Sequence, residues 1–159
     1  MKSYGTLILS TLAVLTLSSC SNSAYQHFDI DEIHERAASN LQVARIIEDK
    51  LTQAYLGTIY LNKTDAKNYF DHEYFILTFY YPKEGDEKEF NITLNGEKPL
   101  YMEQMSADDN LSQLFPLQMK WNHYYYLMFK KQKANAALKL SFENSHSQKV
   151  AITYQKGYE

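Results

Sequence analysis

Five histidines are the first residues that could do chemistry: His27, His34, His72, His123 and His146. Imidazoles serve as metal ligands when they recur with carboxylates or thiolates at a fixed local spacing. These five are scattered, no HExxH or CxxC occurs, and the single cysteine is Cys20. Asp71, His72 and Glu73 stand side by side. At the start of a strand their side chains would alternate between faces, so the triplet reads as a polar junction and not as a metal or acid–base site. A nucleophilic serine would call for GxSxG, and a phosphate site for a glycine-rich loop. Glycine is confined to Gly5, Gly57, Gly85, Gly96 and Gly157, and neither pattern occurs. The expectation is no enzyme, no metal and no cofactor.

The aromatic residues carry more information. Fourteen tyrosines and eight phenylalanines are concentrated in runs such as Trp121 to Phe129 and Glu73 to Tyr81. Both runs are apolar on two faces, as central covered strands are. Alternation places Trp121, Tyr125, Leu127 and Phe129 on one face, with Tyr124, Tyr126 and Met128 on the other. The other run divides into Phe75, Leu77 and Phe79 against Tyr74, Ile76 and Tyr80. If the strands are neighbours, Tyr74, Tyr80, Tyr124 and Tyr126 share a second face. A helix covers that face, or it is a protein-binding surface, since tyrosine gives large contact area at low entropy cost. Helix cover is the expected answer.

The elements that would position these residues follow from the hydrophobic period. Ile30, Ile33, Ala37, Leu41, Ala44, Ile47, Leu51 and Ala54 recur at steps of three or four, which predicts an amphipathic helix over 29–57 ended by Gly57. Beyond it the period is two. Strands are expected at 58–61, 73–81, 90–94, 98–104, 121–130, 138–142 and 150–154, with Asn95-Gly96 turning 90–94 onto 98–104. Seven short strands in residues 58–159 suit an immunoglobulin-like β-sandwich. The loop from Met105 to Gln118 is long and holds Leu111, Leu114, Phe115, Pro116 and Leu117, which suits a crossover packed on the sandwich.

Composition bounds the rest. A chain of 159 residues with few glycines and prolines allows one ordinary domain. Sixteen Lys and Arg against nineteen Asp and Glu leave a charge of −3, with no basic footprint for nucleic acid.

The first residues are an address. Lys2 is the only charge before Asp29, and an apolar stretch runs from Leu7 to Leu17. Eleven residues make a helix of about 16 Å, too short to span a bilayer. A positive start, a short apolar core and small residues after it read as a secretory signal over 1–19. Its exit, Leu17-Ser18-Ser19-Cys20, resembles the lipobox of bacterial lipoproteins. The resemblance implies diacylglycerol on the Cys20 thiol, cleavage before it, and a lipidated tether over 20–28. With Ser21 and not aspartate next, it implies the outer membrane, facing the periplasm or the cell surface. Several acyl chains on one residue would hold it there almost permanently.

Two short segments, Glu89-Phe90-Asn91-Ile92-Thr93 and Asp108-Asp109-Asn110-Leu111-Ser112, resemble the extended sequon of bacterial N-glycosylation. Asn91 and Asn110 are therefore candidate acceptors. Beyond these local signals the chain is similar to small bacterial lipoproteins, some with immunoglobulin-like domains. The function expected is a non-enzymatic protein-binding or envelope-assembly module with an envelope protein partner. The alternative is an envelope hydrolase or small-ligand carrier whose site is assembled from distant loops.

Overall fold

A computed structural model describes residues 31–48, 50–80, 90–119, 121–134, 136–143 and 147–156. Cys20 and residues 1–30, which carry the signal and tether expectations, lie outside the described residues. Helix α1 (Glu32–Asn40) is followed by β1 (Leu41–Glu48), β2 (Leu51–Tyr60) and the short α2 (Leu61–Thr64). Then come β3 (Glu73–Tyr80), β4 (Asn91–Leu94), β5 (Tyr101–Met105), a 3₁₀ turn at Ser112–Leu114, β6 (His123–Phe129), β7 (Ala137–Glu143) and β8 (Lys149–Gln155). The strands form two antiparallel sheets, ordered β1-β2-β3-β6-β5 and β4-β7-β8.

The helix expected over 29–57 is corrected beyond residue 40. Within α1 Glu32 pairs with Arg36, one turn apart. The side chains of Ser39 and Asn40 donate to the carbonyls of Glu35 and Arg36, the back-bonding that favours a helix end. From Leu41 the chain is a hairpin, turning near Lys50 at φ 66°. Ile47 and Leu51, both on the expected helical stripe, are 61% and 66% exposed, while Ile46 is buried. The run is rich in β-branched residues, and pairing with β3 outweighs a helical spacing that a strand also satisfies in part. Gly57 is not a helix stop. It lies inside β2, where an added Cβ would come within 2.8 Å of Thr78 Cγ2.

The Asn95-Gly96 turn forms, with φ of 51° and 87° and reciprocal bonds between Leu94 and Glu97. It does not return 98–104 onto 90–94. Strand β4 pairs with β7, and the chain crosses so that β5 lies on β6 in the other sheet. Asn95 holds the departure point by exchanging bonds with Lys139: its N–H donates to the Lys139 carbonyl, and Lys139 N–H donates to Asn95 Oδ1.

The facing sheets enclose the main core. Leu56, Phe75, Leu77 and Leu127 from the larger sheet meet Leu138, Leu140, Phe142 and Ile152 from the smaller. Tyr60, Phe75 and Tyr154 pack ring to ring at 4.9 to 5.8 Å across this layer. Beside them sits a buried ion pair. Glu73 Oε1 accepts from Lys156 Nζ and from the Gln132 N–H, each at 2.8 Å, while Tyr60 O–H donates to Oε2. Lys156 Nζ also donates to the Gln132 carbonyl.

Candidate functional site

Strand register defines the outer face of the five-stranded sheet, turned away from the main core. Leu41, Ile59, Ile76 and Tyr126 are cross-strand partners in one row; Val43, Gly57, Thr78 and Tyr124 form the next; Arg45, Tyr55 and Tyr80 form a third. This is the second face that alternation placed around Tyr74, Tyr80, Tyr124 and Tyr126. Strands β3 and β6 are indeed neighbours, with Ile76 opposite Tyr126 and Thr78 opposite Tyr124.

Cover of this face is partial. At the row of Ile59 and Ile76, Ala37 of α1, Leu61 of α2, and Leu114 and Phe115 close a second core. Tyr124 is 1% exposed and Tyr74 9%, so neither offers a surface. Tyr126 and Tyr80 are half-buried. Of the four tyrosines proposed to share a recognition surface, Tyr80 alone lines the part left open. Trp121, expected on the core face, precedes β6 and is 68% exposed.

The open part is a groove of about 430 Å³. Val43, Tyr55, Gly57 and Tyr80 contribute its floor across three strands. The segment after the 3₁₀ turn makes the wall with Phe115, Leu117 and Met119. Phe115 is anchored in the second core, whereas Leu117 is 72% and Met119 48% exposed. The long loop thus packs through its middle, at Leu114 and Phe115, and borders the groove with its last residues. Among the described residues, no charged side chain lines the groove. Asn122 closes one end: Nδ2 donates to Thr78 Oγ1 at 3.0 Å, and Oδ1 is buried and takes no hydrogen bond from the described residues.

Gly57 links floor and wall. Its missing Cβ leaves room for Thr78 Cγ2, Leu41 Cδ1 and Phe115 Cε1 to converge over the backbone. A glycine inside Leu56-Gly57-Thr58-Ile59-Tyr60 was the one local signal of a close approach here, and the helical reading absorbed it. Leu117, Met119 and Asn122 carried no such signal.

Asp71, His72 and Glu73 do not converge. Glu73 turns into the main core, and Asp71 is exposed, accepting from Tyr74 O–H at 2.6 Å, with His72 Nδ1 at 3.1 Å. That bond, then burial, pushes the Tyr74 hydroxyl up to about 12. Burial also raises Tyr126 and Tyr69. Because the folded value for Tyr74 exceeds the unfolded value of about 10, its stabilising effect is complete below pH 10 and fades as pH rises through 12. Alkaline titration of tyrosinate absorbance should therefore show several late-ionising groups, one of which moves back toward 10 in Asp71→Asn. An unchanged curve would break the Asp71–Tyr74 assignment.

Asn110 is exposed on the rim of a second, shallower concavity with Tyr69, Glu103 and Asp109, and Asn91 is exposed at the first position of β4. Among the described residues, no three His, Cys, Asp or Glu side chains converge as a metal site requires. No protein-family model matches the chain, and neither does any curated protein or solved structure. The uncharged groove with its one unpaired acceptor is the most developed site of the described residues.

Proposed function

We propose that the chain is a non-enzymatic binding module of the bacterial envelope, lipid-anchored through Cys20 at the outer membrane. The two facing sheets support an immunoglobulin-like sandwich as its scaffold. The observation that carries the binding role is the apolar groove on the outer face. Ligand sites are concave, mostly apolar and sparingly polar, and this groove has all three properties. A protein-binding or envelope-assembly role would use the same face, with the exposed Leu117, Met119 and Trp121 as its apolar rim.

Of the two binding readings, the small-ligand carrier is better supported. A flat tyrosine patch would have favoured a protein partner, but Tyr74 and Tyr124 are buried and the remaining surface is a trough. Catalysis needs polar groups converging on a reacting atom, and the described lining of the trough carries only the hydroxyls of Tyr55, Thr78 and Tyr80 and the Asn122 amide.

The anchor is tested by intact mass and fractionation of native protein. Wild type should carry diacylglycerol mass and sediment with membranes, and Cys20→Ala should lose both. A wild-type chain found unlipidated in the soluble fraction would defeat the anchor reading. The same spectrum reports any glycan at Asn91 or Asn110. Crosslinking and pull-down from native membranes, wild type against Leu117→Asp, tests the groove: one stoichiometric bound component should be lost in the variant.

A further inference from the structure

We propose that the second concavity of the outer face binds a neutral sugar, with Tyr69 and Tyr126 meeting its ring and Glu103, Asp109 and Asn110 its hydroxyls. This site is separate from the groove and does not depend on the groove's role.

Three segments build the concavity. Glu103 of β5 is the cross-strand partner of Tyr126 of β6, which sets a carboxylate beside a phenol on one face. Tyr69, from the connection between α2 and β3, joins them. Met105, Asp109, Asn110 and Leu111 complete a space of about 460 Å³, the size of a small-ligand site. Its floor is firm, because Tyr69, Met105, Leu111 and Tyr126 all pack against the second core. Tyr74 packs against both tyrosine rings, with centroids 5.2 Å from Tyr69 and 6.0 Å from Tyr126.

Each carboxylate of the rim is held by one oxygen and open at the other. Glu103 Oε2 accepts from Tyr101 O–H at 2.8 Å, and Oε1 takes no hydrogen bond from the described residues. Asp109 Oδ2 accepts from the Ser106 N–H at 2.8 Å, and Oδ1 is open in the same way. The Asp109 N–H donates to the Ser106 carbonyl and the Gln113 N–H to the Asp109 carbonyl, which braces the turn that carries Asn110. The hydroxyls of Tyr69 and Tyr126 are bonded to none of the described residues. Groups fixed in this manner lose little freedom when a ligand arrives.

The same groups select the ligand's class. Carboxylates only accept, whereas phenols and an amide both donate and accept. A sugar hydroxyl does both, so it can pair with every one of them. Tyrosine ring faces are electron-rich and suit the weakly positive C–H face of a sugar ring. An anion would meet two carboxylates that pair with no described cation. An ammonium would be drawn to them, but ion pairs between exposed groups contribute little, and it has no acceptor for the phenol and amide donors. A hydrocarbon chain would cover the rim with nothing it can bond to.

The full chain carrying Cys20→Ala is titrated with the neutral disaccharides cellobiose, maltose, lactose and N,N′-diacetylchitobiose, and backbone amide shifts are followed by NMR. At least one sugar should saturate with a dissociation constant of about 1 mM, moving the amides of 69, 101–111 and 126. Oxidising that sugar to its uronate should weaken binding about tenfold, because the two carboxylates repel it. Glu103→Ala, at an exposed position, should weaken the neutral sugar about tenfold with an unchanged melting temperature. Tyr126→Phe keeps the packed ring and should weaken it about threefold. Leu117→Asp, in the groove wall, should change nothing, so the two sites hold or fail separately.

Failure of every disaccharide to saturate would overturn the sugar assignment. So would saturation by putrescine at a lower concentration than by any sugar, which would make the site one for cations. Undiminished sugar binding in Glu103→Ala would place the sugar elsewhere and overturn the assignment to this concavity.

Discussion

Replacing Lys156 with methionine should cost the domain about 3–5 kcal/mol, a large share of the stability of a small protein. Lys156 is 8% exposed and Glu73 is fully buried. The pair is completed by neutral partners: Glu73 accepts from Tyr60 and Gln132, and Lys156 donates to the Gln132 carbonyl. Forming such a pair gains little over apolar side chains of similar size, because both charges leave water. Breaking it is another matter, since the carboxylate stays in the main core without its counter-ion. Urea unfolding should show the loss as a lowered midpoint with an unchanged slope. Glu73→Gln combined with Lys156→Met removes both charges and keeps the side-chain shape. The double variant should be more stable than Lys156→Met alone, and its cost well below the sum of the two single changes. A loss under about 1 kcal/mol for Lys156→Met would mean that the ammonium reaches water, as exposed pairs do.

The second large effect is expected at Tyr124, where two substitutions should act in opposite directions. Tyr124→Ser removes a ring that is 1% exposed and packs 5.8 Å from Phe115. Deleting a buried aromatic of this kind costs about 3–5 kcal/mol through lost burial and the cavity left behind. Tyr124→Phe keeps the ring and removes a hydroxyl that is buried and has no partner among the described residues. That change should stabilise the domain by about 1 kcal/mol. Tyr126→Ser, at a half-buried position, should cost less than Tyr124→Ser. Thermal melts of the three variants are sufficient. Near-wild-type stability in Tyr124→Ser would return Tyr124 to the surface and revive the tyrosine-face reading of protein recognition.

Much of the sheet was legible from alternation. The runs around Phe75, Leu127, Leu140 and Ile152 are strands as expected, and β7 pairs with its sequence neighbour β8. The division of the two central strands into opposite faces also holds: Phe75, Leu77, Phe79, Leu127 and Phe129 reach the main core, while Tyr74, Ile76 and Tyr124 reach the second. Alternation is a property of the pleat, which needs no information from elsewhere in the chain. The Asn95-Gly96 turn was legible for a similar reason, because Asn and Gly tolerate the positive φ that the turn requires.

The misreadings share a cause. Residues 41–57 satisfy a helical spacing in part, and only the partner β3 makes the strand the lower-energy choice. Likewise nothing within 98–104 shows that β5 will join β6 in preference to β4. Gly57 looked like a helix stop until Thr78 and Phe115 were seen to converge on it.

The five scattered histidines, the lone Cys20 beside its lipobox-like exit, the strand alternation and the sharing of faces are all written in neighbouring residues, and could be read without a fold. Which half of the outer face is covered could not. Ala37, Leu61 and Phe115 close one half, and the other remains a trough between Val43, Tyr80 and Leu117. Those residues meet only after the sheets have paired, because cover and cavity depend on packing between segments far apart in the chain, whereas face and period depend on the backbone alone.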